Sequence, residues 1–337
     1  MTILFYAGLF LASVVITLGG CHLFTNGIEW LGKRLNISEG AVGSVFAAVG
    51  TTLPETSIPI IAIFFGARGE QTEVGLGAIL GAPFMLSTLV LPILALLLLL
   101  YARIGRRTAV FKLNYGEVRV DILFFLISYG LALTCAVIPS RVFHGAVAVV
   151  LIGLYMYYMR LKFSAEDEES EGDSAIEPLL FARKSLRPSY PVIGLQGIIG
   201  LLGLIWGAHL FVTAAESVSA ELQVSPLILA LLIAPLATEL PEMSNSFLWL
   251  YRKKDRLAVG NVTGAMVFQG TFPVSVGLLG TDWVLGQMAL ATMVLAVVAM
   301  AMGLLQILWT GYWRPWLLSG SALLYLGYSV FLYSHGP

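Results

Sequence analysis

Thr51-Thr52-Leu53-Pro54-Glu55-Thr56-Ser57 and Thr238-Glu239-Leu240-Pro241-Glu242-Met243-Ser244 stand 187 residues apart in the same chain. Each puts a glutamate directly after a proline in the middle of a long apolar run, 41–66 for the first and 225–250 for the second. The match extends outward without a gap. Gly20-Cys21-His22-Leu23-Phe24 aligns with Gly207-Ala208-His209-Leu210-Phe211, Glu29 with Glu216, Leu35 with Leu222, Ser38 with Ser225 and Ala47 with Ala234. That makes 13 identities in the 38 positions from 20 to 57. Apolar segments match one another by chance, but a shared run of Pro, Glu, His and Thr does not arise that way. The chain carries an internal duplication.

Around the two segments lie ten runs apolar enough to cross a bilayer, a crossing that takes about 20 residues. They are 3–24, 41–66, 74–101, 119–138, 142–162, 192–215, 225–250, 257–280, 285–308 and 313–334. Over the 337 residues, 58% are hydrophobic and 12% charged, and the mean hydropathy is +0.87. That composition excludes a soluble globular protein and a disordered chain. The 19 basic and 20 acidic residues balance to a net charge of −1, which excludes nucleic acid as a partner. With the N-terminus outside, the inside loops hold seventeen of the nineteen Lys and Arg residues, and only Arg68 and Arg141 remain outside. By the positive-inside rule both termini face out, across what is expected to be the plasma (inner) membrane. Leu18-Gly19-Gly20-Cys21 loosely resembles a lipoprotein cleavage box. No positive charge precedes it and the segment recurs at 207–211, so it reads as the first transmembrane helix. Cys21 and Cys135 both lie in apolar runs and form no disulfide framework.

The polar stretch near 163–191, rich in acids at Glu166, Asp167, Glu168, Glu169, Glu171 and Asp173, splits the chain into two halves of five spans. It reads as a solvated cytoplasmic linker. Five is odd, so the second half enters the membrane from the opposite side. The expected fold is an all-α integral membrane protein with ten transmembrane helices in two inverted repeats, 1–163 and 192–337, joined by a linker at 164–191. Inverted repeats with the binding site at mid-bilayer are a common architecture of secondary transporters.

A carboxylate at mid-bilayer costs several kcal/mol unless it is paired or neutralised. Glu55, Glu239 and Glu242 sit at that depth, and no span places a Lys or Arg beside them. They must hold a proton or a cation. Pro54 and Pro241 would free the carbonyls of Gly50 and Ala237. Thr51 and Thr52 share a helix face with Glu55. Each repeat therefore offers a carboxylate, hydroxyls and bare carbonyls, an all-oxygen set that suits calcium or sodium and not a soft metal. Span 8 adds Asn261 and Gln269 at depth, with Pro273 freeing the carbonyl of Gln269. Gly260 and Gly264 in span 8, and Gly77 and Gly81 in span 3, read as close-packing positions. The paired His22 and His209 read as packing residues that could also sense or carry protons. Glu29 and Glu216 read as interfacial. No metalloprotease, diphosphate, nucleophile-elbow or Walker motif is present, so no enzyme and no cofactor are expected. A scaffold would not need acids at mid-bilayer.

Gly50-Thr51-Thr52-Leu53-Pro54-Glu55, Ala237-Thr238-Glu239-Leu240-Pro241-Glu242 and Gly260-Asn261-Val262-Thr263-Gly264-Ala265-Met266 resemble the alpha-repeat motifs of the calcium/cation antiporter superfamily, especially its sodium/calcium exchanger branch. The resemblance implies a ten-helix antiporter exchanging calcium for sodium by alternating access. Spans 2, 3, 7 and 8 would form the core, and spans 1 and 6 would slide across it. Glu55 and Glu242 would be central calcium ligands, with Thr51 and Thr238 at flanking sodium sites. The chain departs from the family pattern at Ala82, Leu86, Ala265 and Gln269, where ligands are expected, and Glu239 replaces a hydroxyl residue. Those departures keep calcium/proton exchange through the same carboxylates as the alternative. The partners implied are calcium, sodium or protons, and the lipid bilayer. No protein partner is implied.

Overall fold

The computed structural model describes residues 2–52, 56, 63, 70–164, 177–221 and 239–335. Among these residues the chain is helical throughout, with no strand. Helix α1 is Thr2–Leu35 and α2 is 39–52. Helix α3 is 70–103, α4 Tyr115–Val137 and α5 Arg141–Ser164. A short turn at Leu180–Ala182 leads to α6, Tyr190–Glu221. Then come α7 (Leu240–Tyr251), α8 (Asp255–Gln269), α9 (Phe272–Gly280), α10 (Gln287–Thr310), α11 (Pro315–Gly320) and α12 (Ala322–His335).

Seven of these stretches are long and apolar enough to cross a membrane. The other expected spans are represented by shorter helices. The second and seventh adjoin 53–55, 57–62 and 222–238, outside the described residues, and the tenth is broken at Ser321 between α11 and α12. Several boundaries differ from those expected. Helix α1 continues eleven residues past 24 because Thr25 to Arg34 hold no breaker except Gly27 and Gly32. At 1.5 Å per residue its 34 residues measure about 51 Å, far more than the ~30 Å hydrocarbon layer. Span 8 divides at Gly270–Thr271, where Pro273 in the first turn of α9 cannot donate to Gln269.

Helix α8 is the centre of the molecule. Every residue of it except Arg256 is buried, against α2, α3, α4, α7 and α9. Its sequence explains how one helix meets so many neighbours: Ala258, Gly260, Gly264 and Ala265 keep its flanks thin. At Gly264 a Cβ atom would lie 2.1 Å from the carbonyl oxygen of Ser44 in α2, so only glycine permits this crossing. Helices α1 and α6 pack along their length in the same way, with Gly20 and Gly200 backbone to backbone.

A polar hub ties α2 and α8 to α4 and α5. The Asp121 carboxylate accepts from Thr263 Oγ1 at 2.6 Å, Tyr158 OH at 3.0 Å and Ser44 Oγ at 3.3 Å, and pairs with Lys162 at 2.5 Å. Both charges are almost fully buried. Outward faces carry residues such as Leu11, Val15, Leu123, Val149 and Leu305, exposed apolar side chains that fit lipid rather than water.

Candidate cation site

The described start of α7 carries two acids. Glu239 occupies the N-cap position without using its side chain as a cap, and Glu242 lies in the first turn. Pro241 between them costs nothing there, because a first-turn N–H has no intrahelical acceptor. Glu239 and Glu242 are 1% and 0% exposed, and none of their four carboxylate oxygens has a hydrogen-bond partner among the described residues. Glu239 and Glu242 are close enough to repel one another. Among the described residues nothing basic offsets that repulsion: the buried cations lie elsewhere, Lys162 on Asp121 and Arg107 on Asp255. Burying one such charge unpaired costs several kcal/mol. The arrangement is sustainable only if protons or bound cations supply the missing charge.

The neighbours are oxygen donors. Thr51 and Thr52 of α2 are buried. Thr51 donates its hydroxyl proton to the carbonyl of Ala47 at 3.0 Å, and Thr52 donates to Ala48. A hydroxyl that donates backward along its helix keeps its lone pairs for something else. The Thr51 side chain faces Glu242. From α8, Asn261 donates to the backbone carbonyl of Glu242 at 3.1 Å and to Ser246 Oγ at 3.0 Å, while its Oδ1 has no partner among the described residues. Its amide nitrogen thus braces α7 and only its oxygen remains for a ligand. Gln269, the last residue of α8, is 3% exposed, and its Oε1 has no partner among the described residues.

The structure thus brings Thr51 and Glu242 together directly. Thr52 sits beside Thr51, Glu239 beside Glu242, and Asn261 against the Glu242 backbone. Glu55 and Thr238 lie outside the described residues, as do Pro54 and Ala237. Asn245 escaped the sequence reading. It is 0% exposed, three residues past Glu242 and so on the same helix face, and neither polar atom of its side chain has a partner among the described residues. The i+3 spacing was the available signal, but the duplication hid it, since the aligned residue in the first half is Ile58.

No group of three or more His, Cys, Asp or Glu placed to hold a metal ion occurs among the described residues. What is present is carboxylate, amide and hydroxyl oxygen, the donor set of a hard cation. Glu29 is 6% exposed, within α1, which runs on past it. It accepts from Trp249 Nε1 at 2.9 Å and pairs with Lys254. The two histidines also part company. His209 is exposed, while His22 is partly buried and bonded to Arg252 at 2.7 Å.

Comparison with known proteins agrees with this architecture. The chain is 26% identical to an uncharacterized membrane protein of Methanocaldococcus jannaschii, over 81% of each chain. It is 25% identical to CaxA of Alkalimonas amylolytica, a protein named as an antiporter candidate, over 80% of this chain and 79% of that one. Among solved structures, the sodium-calcium exchanger NCX_Mj soaked with zero Na+ and Ca2+ superimposes over 100% of both chains with a TM-score of 0.72 at 22% identity. The same exchanger soaked with 100 mM Na+ and 10 mM Sr2+ gives 0.71 at 22% identity over 99% of both. At that identity the likeness speaks for the fold. The model of the sodium/calcium exchanger protein family matches residues 5–163 and 194–334, nearly the whole chain. The chain belongs to the sodium/calcium exchanger family, whose members are membrane transporters and not enzymes.

Proposed function

We propose that this antiporter exchanges calcium for sodium by alternating access. The cation would be held at mid-bilayer between two inverted five-helix repeats, 1–163 and 192–337. Glu55, Glu242, Glu239, Thr51, Thr52, Thr238, Gln269 and Asn261 are the proposed ligands, and Asn245 joins them as an amide oxygen. Both termini would lie on the outer side of the plasma (inner) membrane. The observation that carries the reading is the pair Glu239–Glu242, buried with four carboxylate oxygens and no partner among the described residues. Calcium takes six to eight oxygen ligands at about 2.3–2.6 Å, and carboxylate, amide and hydroxyl oxygens are its usual donors.

Competition for the same oxygens couples the two fluxes. The carboxylates cannot stay charged in apolar surroundings unless neutralised, so calcium leaves only when sodium ions or protons take its place. Movement of α1 and α6 across the core would then expose the loaded site to one side or the other. Glycine contacts such as Gly20 on Gly200 join α1 and α6 backbone to backbone, as a pair that moves together would need.

A specific feature favours protons as the coupling ion. Glu239 stands where the family pattern has a hydroxyl, and it lies beside Glu242 with no basic residue among the described residues to relieve the repulsion. A proton shared by such a pair relieves it directly. Radioactive calcium uptake into liposomes separates the readings. Uptake driven by an outward sodium gradient supports sodium coupling. Uptake driven only by an outward proton gradient transfers the coupling to Glu239. No uptake under either gradient removes calcium as the substrate.

A further inference from the structure

We propose that His22 is a proton-sensing site controlling a latch between α1 and the turn joining α7 to α8. The proposal rests on the reading of α1 and α6 as the moving pair. The relevant contacts join α1 to the far end of α7 from Glu239 and Glu242, at Arg252 and Lys254.

Arg252, at the end of α7, approaches His22 Nδ1 with Nη2 at 2.7 Å. The same nitrogen donates to Glu177 Oε2 at 3.2 Å, and Nη1 lies 4.0 Å from Glu29 Oε1. Glu29 also accepts from Trp249 Nε1 at 2.9 Å and pairs with Lys254. Three groups of one body therefore close on the α7–α8 turn: His22 and Glu29 from α1, and Glu177 from the segment before α6. Glu177 belongs to that body because its carbonyl accepts from Asn26 Nδ2 at 3.1 Å and Trp30 Nε1 at 2.9 Å. The next residues are held by Asn26 and by Gln196 of α6. Asn26 and Gln196 bond one another at 2.9 Å and are fully buried, which fastens α1, α6 and the segment 177–182 as one unit. Any slide of α1 and α6 over the core must break the contacts to Trp249, Arg252 and Lys254.

The protonation state of His22 follows from its partner. A guanidinium only donates, so Nδ1 accepts and the bonded ring is neutral with its hydrogen on Nε2. Adding a proton to Nδ1 removes the acceptor and sets two cations face to face. Among the described residues the charged groups around the ring are Arg252 and Lys254 from the α7–α8 turn, Glu29 from its own helix and Glu177 from the segment before α6. The opposing stretch of α6, 197–204, carries no ionisable residue. Two cations and two carboxylates balance while His22 is neutral. One more proton tips the cluster positive and costs the Arg252 bond. Acidification on that side thus opens the latch, whether the transported ions are calcium with sodium or calcium with protons.

The test measures the distance between spin labels at Leu35→Cys on α1 and Ile104→Cys beyond α3, both exposed positions, in a Cys21→Ala, Cys135→Ala background in nanodiscs without transported ions. Lowering the pH from 7.5 to 5.5 is expected to raise a second distance population roughly ten- to a hundredfold, the effect of losing one hydrogen bond to a charged group. His22→Gln, which keeps an acceptor that cannot titrate, is expected to hold one distance at both pH values. His22→Asn serves the same purpose should His22→Gln fail to fold. Glu29→Gln is expected to show the second population already at pH 7.5. A wild-type distribution indifferent to pH, a His22→Gln that responds like wild type, or a Glu29→Gln that stays latched overturns the proposal. Neither calcium nor sodium is present in this measurement, and the comparison with His22→Gln separates protonation of His22 from protonation of Glu239 and Glu242, so failure of calcium exchange would leave its result standing.

Discussion

Gly264 and Gly81 are both motif glycines in core spans, and only one of them is under pressure. A methyl group on Gly264 would stand 2.1 Å from the Ser44 carbonyl oxygen, 2.5 Å from its Cα and 2.6 Å from its carbonyl carbon. An ordinary carbon–oxygen contact is about 3.3 Å, so Gly264→Ala is short of room by about 1 Å. The obstacle is backbone and cannot rotate aside. Helices α2 and α8 must part, at an overpacking cost of about 1–3 kcal/mol. The functional cost follows from what the two helices carry, Thr51 and Thr52 on one and Asn261 and Gln269 on the other. Calcium tolerates a spread of only about 0.3 Å in its oxygen distances. A separation of about 1 Å between the two sets is therefore expected to raise the calcium concentration for half-maximal uptake by about ten- to a hundredfold, or roughly 1.4–2.7 kcal/mol of binding. Gly81 meets nothing within 4 Å among the described residues, so Gly81→Ala is expected to transport like wild type and to melt no lower. Both variants are to be compared by radioactive calcium uptake in liposomes, alongside melting temperatures of the purified proteins. Unchanged uptake by Gly264→Ala would refute the reasoning, as would a damaging Gly81→Ala.

Three further outcomes are expected. Asn245→Ala removes a buried polar group that has no partner among the described residues, so stability should rise slightly while calcium affinity falls about three- to tenfold, seen as opposite shifts in melting temperature and in half-saturation. Equal falls in both would make Asn245 a structural residue. Asp121→Asn strands the buried Lys162 and should destabilise the protein by about 3–5 kcal/mol; the double variant Asp121→Asn, Lys162→Met should recover part of that in chemical denaturation. Glu239→Gln should flatten the pH dependence of calcium binding if Glu239 is the proton carrier and leave it unchanged if sodium alone competes.

Much of this was legible in the sequence because the membrane enforces it. A bilayer leaves few ways to satisfy a backbone, so long apolar runs translate almost directly into helices, and an acid among them stands out. The donor type of the site followed from residue identity alone. Three features were not legible. The end of α1 was misplaced because its continuation, Asn26 to Arg34, is polar for a packing reason: Asn26, Glu29 and Trp30 bind the segment before α6 and the α7–α8 turn, and polarity alone resembles a loop. Asn245 was hidden by its dependence on helical phase with no counterpart in the first half. The difference between Gly264 and Gly81 is a matter of which helix lies opposite, and no local pattern records that. The unequal fates of His22 and His209 have the same origin: equivalent positions in the two halves face different neighbours, Arg252 in one case only.

The central claim is that Glu239 and Glu242 form the floor of a site that calcium and its competitor occupy in turn. Equilibrium binding of radioactive calcium to the purified protein, with and without sodium and at two pH values, tests it most directly in the wild type and Glu242→Gln. The account predicts saturable binding in the wild type that sodium or acid displaces, and a loss of about a hundredfold or more in Glu242→Gln, the cost of removing a charged ligand. Calcium binding by Glu242→Gln with wild-type affinity would contradict it.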